Sequence, residues 1–390
     1  MHHYKKTLFF LFSLAGFCLQ ANDSCCNALT AQGEFLSERY ASGYNKEAAT
    51  AVTHKLRHGL SDSNFFIDAS FTYWYLSQEG LKIATNGVLA SGSNLLLAKD
   101  TSSYFPHFNY KPGFKIGIGG VNCSEWQWKG EYTWVHANIE TKTTSLPPNE
   151  ISPAGSLITA DGTAVFVMND WFLQGSTLGQ PLAASAISSK WLLNMNLIDL
   201  TVGRPYYQGR NLTIHPFGGL QIAVISQKMN LAIFEARGQL FNLPSQPIRS
   251  LNNSHSWGLG PTIGFDGNCL LPCRFRLEGN GALSLLYTTY TSIKHSEDAA
   301  STLFNIGPYT ASLKNYRAIR PNASLELGLG WGKYTQNGAT HIDLSLTYNF
   351  AIYWAQNMMR KLLDDISAGI SPAPADLFTQ GLTVTGRLDF

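Results

Sequence analysis

The feature that most constrains this chain is a two-residue alternation of apolar and polar side chains, which recurs in about ten separate stretches. In residues 65–75, Phe71 and Tyr73 fall on one face, whereas Asp68 and Thr72 fall on the other. Successive side chains of a β-strand point to opposite faces, so this alternation predicts strands with one apolar and one polar face. The other alternating stretches are residues 113–120, 126–135, 191–202, 212–227, 257–265, 275–289, 319–331, 342–354 and 382–390.

In one of these stretches the polar residues do not all fall on the same face. In residues 191–202, Asn194 and Asn196 fall on one face, but Asp199 falls on the other. An extra residue at a β-bulge would switch the parity, although the sequence does not place such a bulge.

The connections between the stretches alternate between short and long. Short connections rich in turn residues cover 120–124, 203–211, 266–272 and 333–339, and long ones cover 78–109, 140–186, 228–253, 293–315 and 355–378. Short turns on one side and long loops on the other are typical of transmembrane β-barrels, with the long loops extracellular and the short turns periplasmic. We therefore predict an all-β fold, a closed antiparallel transmembrane β-barrel of about ten strands. Strand-like sequence at 163–168 and 229–234 would raise the number of barrel strands to twelve or more.

The composition agrees with a barrel in a membrane. Charged residues make up 14% and aromatic residues 12% of the chain, and the mean hydropathy is only −0.07. After the N-terminus no apolar run reaches the length of a spanning helix, which excludes a helical membrane protein. The net charge of +2 gives no bulk attraction to nucleic acid. A soluble β-sandwich is the alternative that alternation by itself leaves open.

The N-terminus has the layout of a secretory signal. Lys5 and Lys6 precede an apolar run over residues 7–19, which is too short to span a bilayer as a helix. We predict cleavage after Ala21, and a membrane anchor is the alternative. Residues 1–21 are thus a signal peptide, 22–63 a mature N-terminal segment that is irregular or forms short helices, and 64–390 the barrel.

The mature chain would keep an odd number of cysteines in an oxidising compartment. Cys269 and Cys273 flank a short turn and could close a local disulfide. Cys25 and Cys26 lie near the mature N-terminus and could cross-link other envelope proteins, whereas Cys123 has no assigned partner. The alternative is that some of these thiols stay reduced.

Several short motifs, in this order, resemble the Legionella-type major outer membrane protein family, which is also found in chlamydia-related bacteria. They are DASFTYW at 68–74, QEGL at 78–81, PGFKIGIG at 112–119, LIDL at 197–200, GR at 203–204, HPFGGL at 215–220, WGLGP at 257–261 and QGLTVTGRLDF at 380–390. The resemblance implies an outer-membrane barrel with a porin or surface role, in contact with outer-membrane lipid. It also implies that the barrel-assembly machinery reads the terminal strand, which makes Phe390 an assembly signal.

The polar faces of the predicted strands carry the candidate site residues. These are Lys115, Lys129, Glu131, Arg274, Arg276, Glu278, Arg320, Glu326, Asp343 and Arg387. They would either line an open lumen or pair with one another inside a filled barrel, since a barrel of about ten strands is narrow.

The sequence offers no set of residues with the spacing of a metal or cofactor site, and we expect none. His341 and Asp343 share a strand face but lie at its short-turn end, and His136, Asp364 and Asp365 are expected near the long loops. Solvated loop and rim residues explain them, so we expect no enzyme. The predicted function is passive diffusion of small hydrophilic solutes across the outer membrane. The alternative is a structural envelope protein or adhesin, which disulfides could cross-link, and the oligomeric state is left open.

Overall fold

The computed structural model of the chain describes residues 63–89, 102–122, 126–144, 164–168, 171–173, 186–208, 212–234, 237–238, 241–242, 247–271, 275–298, 308–335, 340–367 and 374–390. Ten long strands dominate this part of the chain. They are β1 (Ser63–Gln78), β2 (Tyr110–Asn122), β3 (Gln127–Thr144), β4 (Ala186–Gly203), β5 (Leu212–Phe234), β6 (Ile248–Leu270), β7 (Phe275–Glu297), β8 (Tyr316–Tyr334), β9 (His341–Tyr353) and β10 (Leu377–Asp389).

These strands form one closed antiparallel barrel. Each strand pairs with the next along the chain, and β10 pairs with β1 from Phe66 opposite Asp389 to Gln78 opposite Leu377. Closure leaves no barrel strand with an unpaired edge, which satisfies the backbone hydrogen bonds within the sheet. The predicted barrel of about ten strands is confirmed, and the β-sandwich alternative is wrong.

Shorter elements lie outside the ten-stranded barrel. Residues 164–168 form a strand, as their sequence suggested, but it belongs to a small sheet with Ala84–Leu89 and Ser102–Tyr104. Residues 229–234 are the end of β5 rather than a separate strand, so neither stretch raises the number of barrel strands. The remaining short strands are Tyr206–Gln208 beside β5, Tyr309–Leu313 beside β7, and the pair Arg237–Gly238 and Phe241–Asn242.

One helix, α1 (Met358–Ser367), lies in the long connection between β9 and β10. Met358, Met359 and Leu363 are buried, so its apolar side faces the barrel. Among the described residues, no helix is both long and apolar enough to cross a bilayer.

Alternation sorts the side chains of the barrel into an outward apolar face and an inward polar face. Phe71, Ile116 and Leu283 point outward with about half of each side chain exposed, at 56%, 51% and 56%. Asp68 and Thr72 point inward and are buried. An exposed apolar surface is unfavourable in water and favourable in lipid, so this face is the one that contacts the bilayer.

The polarity of the outward face inverts toward the long-loop end of β3 to β7. Outward positions there are occupied by His136 and Asn138 on β3, Asn194 on β4 and Lys228 on β5, all exposed. On β3 to β5 most inward positions at the same height are apolar and include the buried Leu193 and Ile225, whereas β6 carries buried polar residues such as Asn252 and Ser254 inside. This side of the barrel therefore continues beyond the bilayer, where water contacts the outside and the inward faces of β3 to β5 contribute to a hydrophobic core.

This inversion corrects two predictions made from the sequence. No bulge interrupts residues 191–202, because β4 pairs in continuous register with both β3 and β5. Asn194 and Asn196 share the outward face with Ile198 and Leu200 but lie nearer the long loops, so the pattern changes because the environment changes. The predicted loop at 228–253 is also too long, since β5 runs to Phe234 and β6 begins at Ile248. The register shift that does occur lies between β6 and β7, where Thr291 of β7 has no residue opposite it between His255 and Ser256.

Two inward-facing glycines make room for charged side chains. A Cβ on Gly330 would lie within 2.5 Å of the Arg276 guanidinium carbon. A Cβ on Gly117 would similarly collide with the Asp68 carboxylate. Glycine at these positions therefore lets bulky ionic groups fit inside a narrow barrel.

Candidate functional site in the barrel lumen

The structure places nearly all the predicted site residues inside the barrel. Lys115, Lys129, Glu131, Arg276, Glu278, Arg320, Glu326, Asp343 and Arg387 occupy inward positions of their strands, whereas Arg274 lies outside the described residues. These side chains do not line the lumen continuously. They form one cluster in the middle of the barrel (the middle cluster) and one at its short-turn end (the short-turn cluster), while Arg320 lies alone near the long-loop end.

The middle cluster joins β1, β2, β3 and β8. Lys115 Nζ lies 2.5 Å from Glu326 Oε1 and 3.8 Å from Glu131 Oε1. Lys129 Nζ lies 2.6 Å from Glu131 Oε2 and 3.3 Å from Asp68 Oδ2. Each ammonium group thus contacts two carboxylates, which offsets part of the cost of taking these charges out of bulk water.

The short-turn cluster is held by two arginines. The Arg276 guanidinium forms a two-pronged pair with the Asp343 carboxylate, one of whose bonds is 2.7 Å, and also lies 3.0 Å from Glu278 Oε2. Arg387 donates to Asp389 at 2.8 Å, and Asp389 also contacts the His341 ring at 3.1 Å. These contacts connect β7, β9 and β10 across the lumen and fill its short-turn end with ion pairs.

Arg320 has a different environment from the other predicted residues. It is 7% exposed and lies beneath α1, where its Nη2 is 3.1 Å from the Met358 sulfur. Its Nε donates to the Tyr290 hydroxyl at 3.1 Å. Arg320 therefore supports the helix over the mouth of the barrel and does not line the cavity described next.

A polar cavity of about 190 Å³ lies in the middle of the lumen. Lys115, Lys129, Glu131 and Glu326 line it, together with Asp199. Asp199 accepts a hydrogen bond from Gln221 Nε2 at 2.7 Å, and Asn322 donates to Gln221 Oε1 at 2.7 Å.

The sequence patterns missed three acidic residues of this region as site residues. The apparent parity switch in its strand hid Asp199, and Asp266 stood at the edge of a predicted short connection. Asp68 stood on the polar face of a cleanly alternating stretch, and that signal was sufficient to identify it as an inward group.

An apolar core closes the long-loop end of the lumen. Leu81, Trp171, Trp191, Leu193 and Met195 are all fully buried there, and α1 contributes Met359 and Leu363 to the same cluster. Sequence periodicity did not predict this plug, because its members come from the loops as well as from strands whose polarity is inverted.

Hydrogen bonds tie the segment 171–173 into the mouth of the barrel. The Leu173 amide donates to Glu297 Oε1 at 2.5 Å, and Ser250 Oγ donates to the Trp171 carbonyl at 2.8 Å. Glu297 also contacts His295 Nε2 at 2.7 Å. We call Ser250, Glu297 and the segment 171–173 the mouth latch.

The other residues singled out from the sequence are positioned as follows. Cys269 is disulfide-bonded, while Cys25, Cys26, Cys123 and Cys273 lie outside the described residues. The pairing of Cys269 with Cys273 and the cross-links through Cys25 or Cys26 stay predictions. Phe390 is exposed on the outward face, and its amide donates to the Phe65 carbonyl at 2.9 Å.

The histidine and acid pairs considered for catalysis do not converge on one site. His136 points outward and stacks on Trp134, whereas Asp364 and Asp365 pair within α1 with Arg360 and Lys361. His341 and Asp343 are engaged in the short-turn cluster. Within the described ranges, no group of three or more metal-binding side chains is present.

Comparison with solved structures finds outer-membrane proteins at low identity. The outer membrane protease OmpT from Escherichia coli is 11% identical, with a TM-score of 0.36 over 85% of this chain and 99% of that chain. The Yersinia pestis attachment invasion locus protein Ail is 8% identical, with a TM-score of 0.21 over 84% and 99%. The Ralstonia pickettii toluene transporter TbuX is 7% identical, with a TM-score of 0.17 over 90% and 95%.

The curated proteins contain no match to this chain. A family model does match, and it covers residues 62–390, which is the whole barrel from the start of β1 to the last residue. The match agrees with a closed barrel that has an apolar outer face. The chain therefore belongs to the family of the Legionella pneumophila major outer membrane protein precursor and is a β-barrel of the outer membrane.

Proposed function

We propose that this barrel lets small hydrophilic solutes diffuse passively across the outer membrane through its lumen. The observation that carries the proposal is the charge-lined cavity of about 190 Å³ inside a barrel that spans the bilayer. A structural barrel needs no polar cavity, because apolar side chains of the same volume fill an interior at lower cost.

Unpaired polar atoms support the view that the cavity holds water. His215 and Asn349 line it, and within the described part of the chain their Nε2 and Oδ1 atoms have no hydrogen-bond partner. A buried polar atom without a partner costs about 1–3 kcal/mol, and water in a roomy polar cavity removes that cost. A hydrated lumen is the first requirement for solute passage.

The plug at the long-loop end makes the conformation described here a closed one. Solutes can pass only if the segment 171–173 and α1 move away from the mouth. The mouth latch holds the first of these by two hydrogen bonds, whose net contribution is about 1–3 kcal/mol. Burial of Trp171, Phe172 and Leu173 in the apolar core stabilises the closed form further. Weakening the latch should therefore shift the balance toward the open form.

Ion selectivity provides the test. The cavity lining contains Lys115 and Lys129 but also four carboxylates, from Glu131, Asp199, Asp266 and Glu326, so its formal charge is negative. We expect planar bilayers containing the refolded protein to show openings that prefer cations. Asp199→Asn should lower that preference, measured as the reversal potential in asymmetric KCl, because it removes an acid that contacts no ammonium group in this structure.

Glu140→Gln is the matched control, since Glu140 is exposed on the outward face and has no access to the lumen. It removes the same formal charge and should leave the reversal potential unchanged. If protein with correct heat-modifiable mobility shows no openings, even with a weakened latch, passive diffusion is excluded. Equal effects of the two substitutions would place the selectivity outside the lumen.

A second function, as a structural envelope protein or adhesin, is favoured by the long-loop ends of β3 to β7, which extend beyond the bilayer. Their outward surface is polar and carries the long loops away from the membrane. Intermolecular disulfide ladders on non-reducing gels, or binding of cells to the purified barrel, would support this function. We also infer that the chain is not an enzyme, and hydrolysis of a generic peptide library by the folded barrel would contradict that inference.

A further inference from the structure

The outward surface beyond the bilayer carries an uncompensated basic cluster on three adjacent strands. Lys228 on β5 lies opposite Asn253 on β6, and Asn253 lies opposite Lys294 on β7. Both lysines are exposed, and Asn253 is half-buried between them. His255, one outward position nearer the bilayer, is within electrostatic reach of both lysines and contacts Ser226 Oγ at 2.9 Å.

No acidic group neutralises this cluster in the described part of the chain. Neither lysine forms an ion pair there; β5 carries no carboxylate, and those of β6 and β7 point inward. On the neighbouring strands the situation differs, since Lys190 Nζ lies 2.5 Å from Glu140 Oε1 and is compensated. The basic cluster is therefore a local excess of positive charge and not part of a mixed polar surface.

The height of the cluster matches the headgroup region of the membrane. Trp257 and Val224 face each other on the outward side and are exposed at 45% and 42%, at the end of the continuous outward apolar band on these strands. Asn253 and Lys228 follow four residues later, which corresponds to about 13 Å along a strand and roughly 10 Å along the membrane normal at the usual tilt. An aromatic side chain at the interface with basic groups just above it is the arrangement expected beside lipid headgroups.

We propose that Lys228, Asn253 and Lys294 bind the phosphate groups of a phosphorylated lipid in the outer leaflet of the outer membrane. Directly opposed residues on paired strands have Cβ atoms about 5 Å apart, so the two lysines flank Asn253 at a distance that their flexible chains can span. Two ammonium groups and one amide can then engage one phosphate or bridge two. The acyl chains would lie against the apolar band that contains Trp257 and Leu259. This proposal does not depend on whether the lumen conducts.

The test compares lipid retention by matched variants of the full barrel in neutral detergent. Native mass spectrometry would measure binding of diphosphorylated lipid A and of the same lipid after dephosphorylation. The double variant Lys228→Gln/Lys294→Gln should bind the diphosphorylated lipid roughly 30-fold more weakly than the parent, on the basis of the usual contribution of a basic residue near an anionic headgroup. The dephosphorylated lipid should bind both proteins equally weakly.

Lys142→Gln/Lys333→Gln is the control, because both residues are exposed and lie away from the basic cluster, Lys333 at the short-turn end of β8. It removes the same formal charge and should retain the lipid as the parent does. Heat-modifiable mobility should be unchanged in both double variants, since all four lysines are at the surface. Equal retention by the parent and the Lys228/Lys294 variant would overturn the proposal. Full displacement of the lipid by millimolar inorganic phosphate would also overturn it, because the site would then recognise a free anion.

Discussion

At the scale of single residues, the interior of this barrel is organised by ion pairs whose partners come from different strands. Arg276 on β7 reaches Asp343 on β9, and Lys115 on β2 reaches Glu326 on β8. Removing one member of a buried pair leaves an uncompensated charge, which costs about 3–5 kcal/mol. The lumen charges therefore bear on stability as well as on any passage of ions.

Arg276→Gln should destabilise the barrel more than Asp343→Asn does. The first change leaves the two carboxylates of Asp343 and Glu278 without their shared guanidinium, whereas after the second Arg276 keeps Glu278 at 3.0 Å. We expect a loss of about 3 kcal/mol for Arg276→Gln and less for Asp343→Asn, measured by urea unfolding in lipid vesicles. The double variant should lose less than the sum of the two, and strict additivity would show that the pair is not coupled.

At the scale of elements, the barrel is closed by parts that come from its loops. The segment 171–173 and α1 fill the long-loop end, and the mouth latch fixes the first of them through Ser250 and Glu297. Ser250→Ala removes one latch hydrogen bond, whose net value of about 1 kcal/mol corresponds to roughly a fivefold change in an equilibrium. Single-channel recordings should therefore show openings more often.

Ser254→Ala is the control for the latch, because Ser254 is a buried, inward residue of the same strand that forms no bond to the segment 171–173. Its open fraction should match that of the parent. A rise with both substitutions would indicate general loosening of β6, and no rise with either would show that the latch does not limit opening.

The terminal strand is a second element with a testable role. β10 closes the barrel against β1, and Phe390 extends this pairing by its amide bond to the Phe65 carbonyl. We predict that deletion of Phe390 lowers the folded, heat-modifiable fraction in cells, because the assembly machinery would no longer recognise the end of the strand. Phe390→Tyr keeps an aromatic ring and should assemble normally. An unchanged folded fraction after deletion would refute this role.

At the scale of the whole molecule, the position of the barrel in the bilayer follows from where its outward face changes polarity. Leu346 and Asn194 both point outward and are both exposed, but Leu346 lies within the apolar band and Asn194 beyond it. Leu346→Arg should cost about 2–4 kcal/mol of folding free energy in lipid vesicles, whereas Asn194→Arg should cost about 1 kcal/mol or less. Similar costs at the two sites would mean that the bilayer also surrounds the long-loop half of β4.

Much of this architecture was predictable from the sequence. Successive side chains of a barrel strand point alternately to the lipid and to the lumen, so their polarity alternates every two residues. The ten strands and the inward direction of Lys129 and Glu131 followed from local patterns. The predictions were wrong where a single strand crosses from lipid into water. There the outward face of β4 becomes polar at Asn196 and its inward face becomes apolar at Leu197, which resembles a parity switch in the sequence alone.

The sequence by itself determined the fold class, the inward and outward faces of the cleanly alternating strands and the short-turn and long-loop ends, since all three depend on neighbours along the chain. Only the tertiary structure decided which charges meet, that Arg320 supports a helix and that apolar side chains close the mouth. It also brought Lys228 and Lys294 together on one surface. Those outcomes depend on which strands become neighbours and on how far each rises above the bilayer, and both are set by barrel closure.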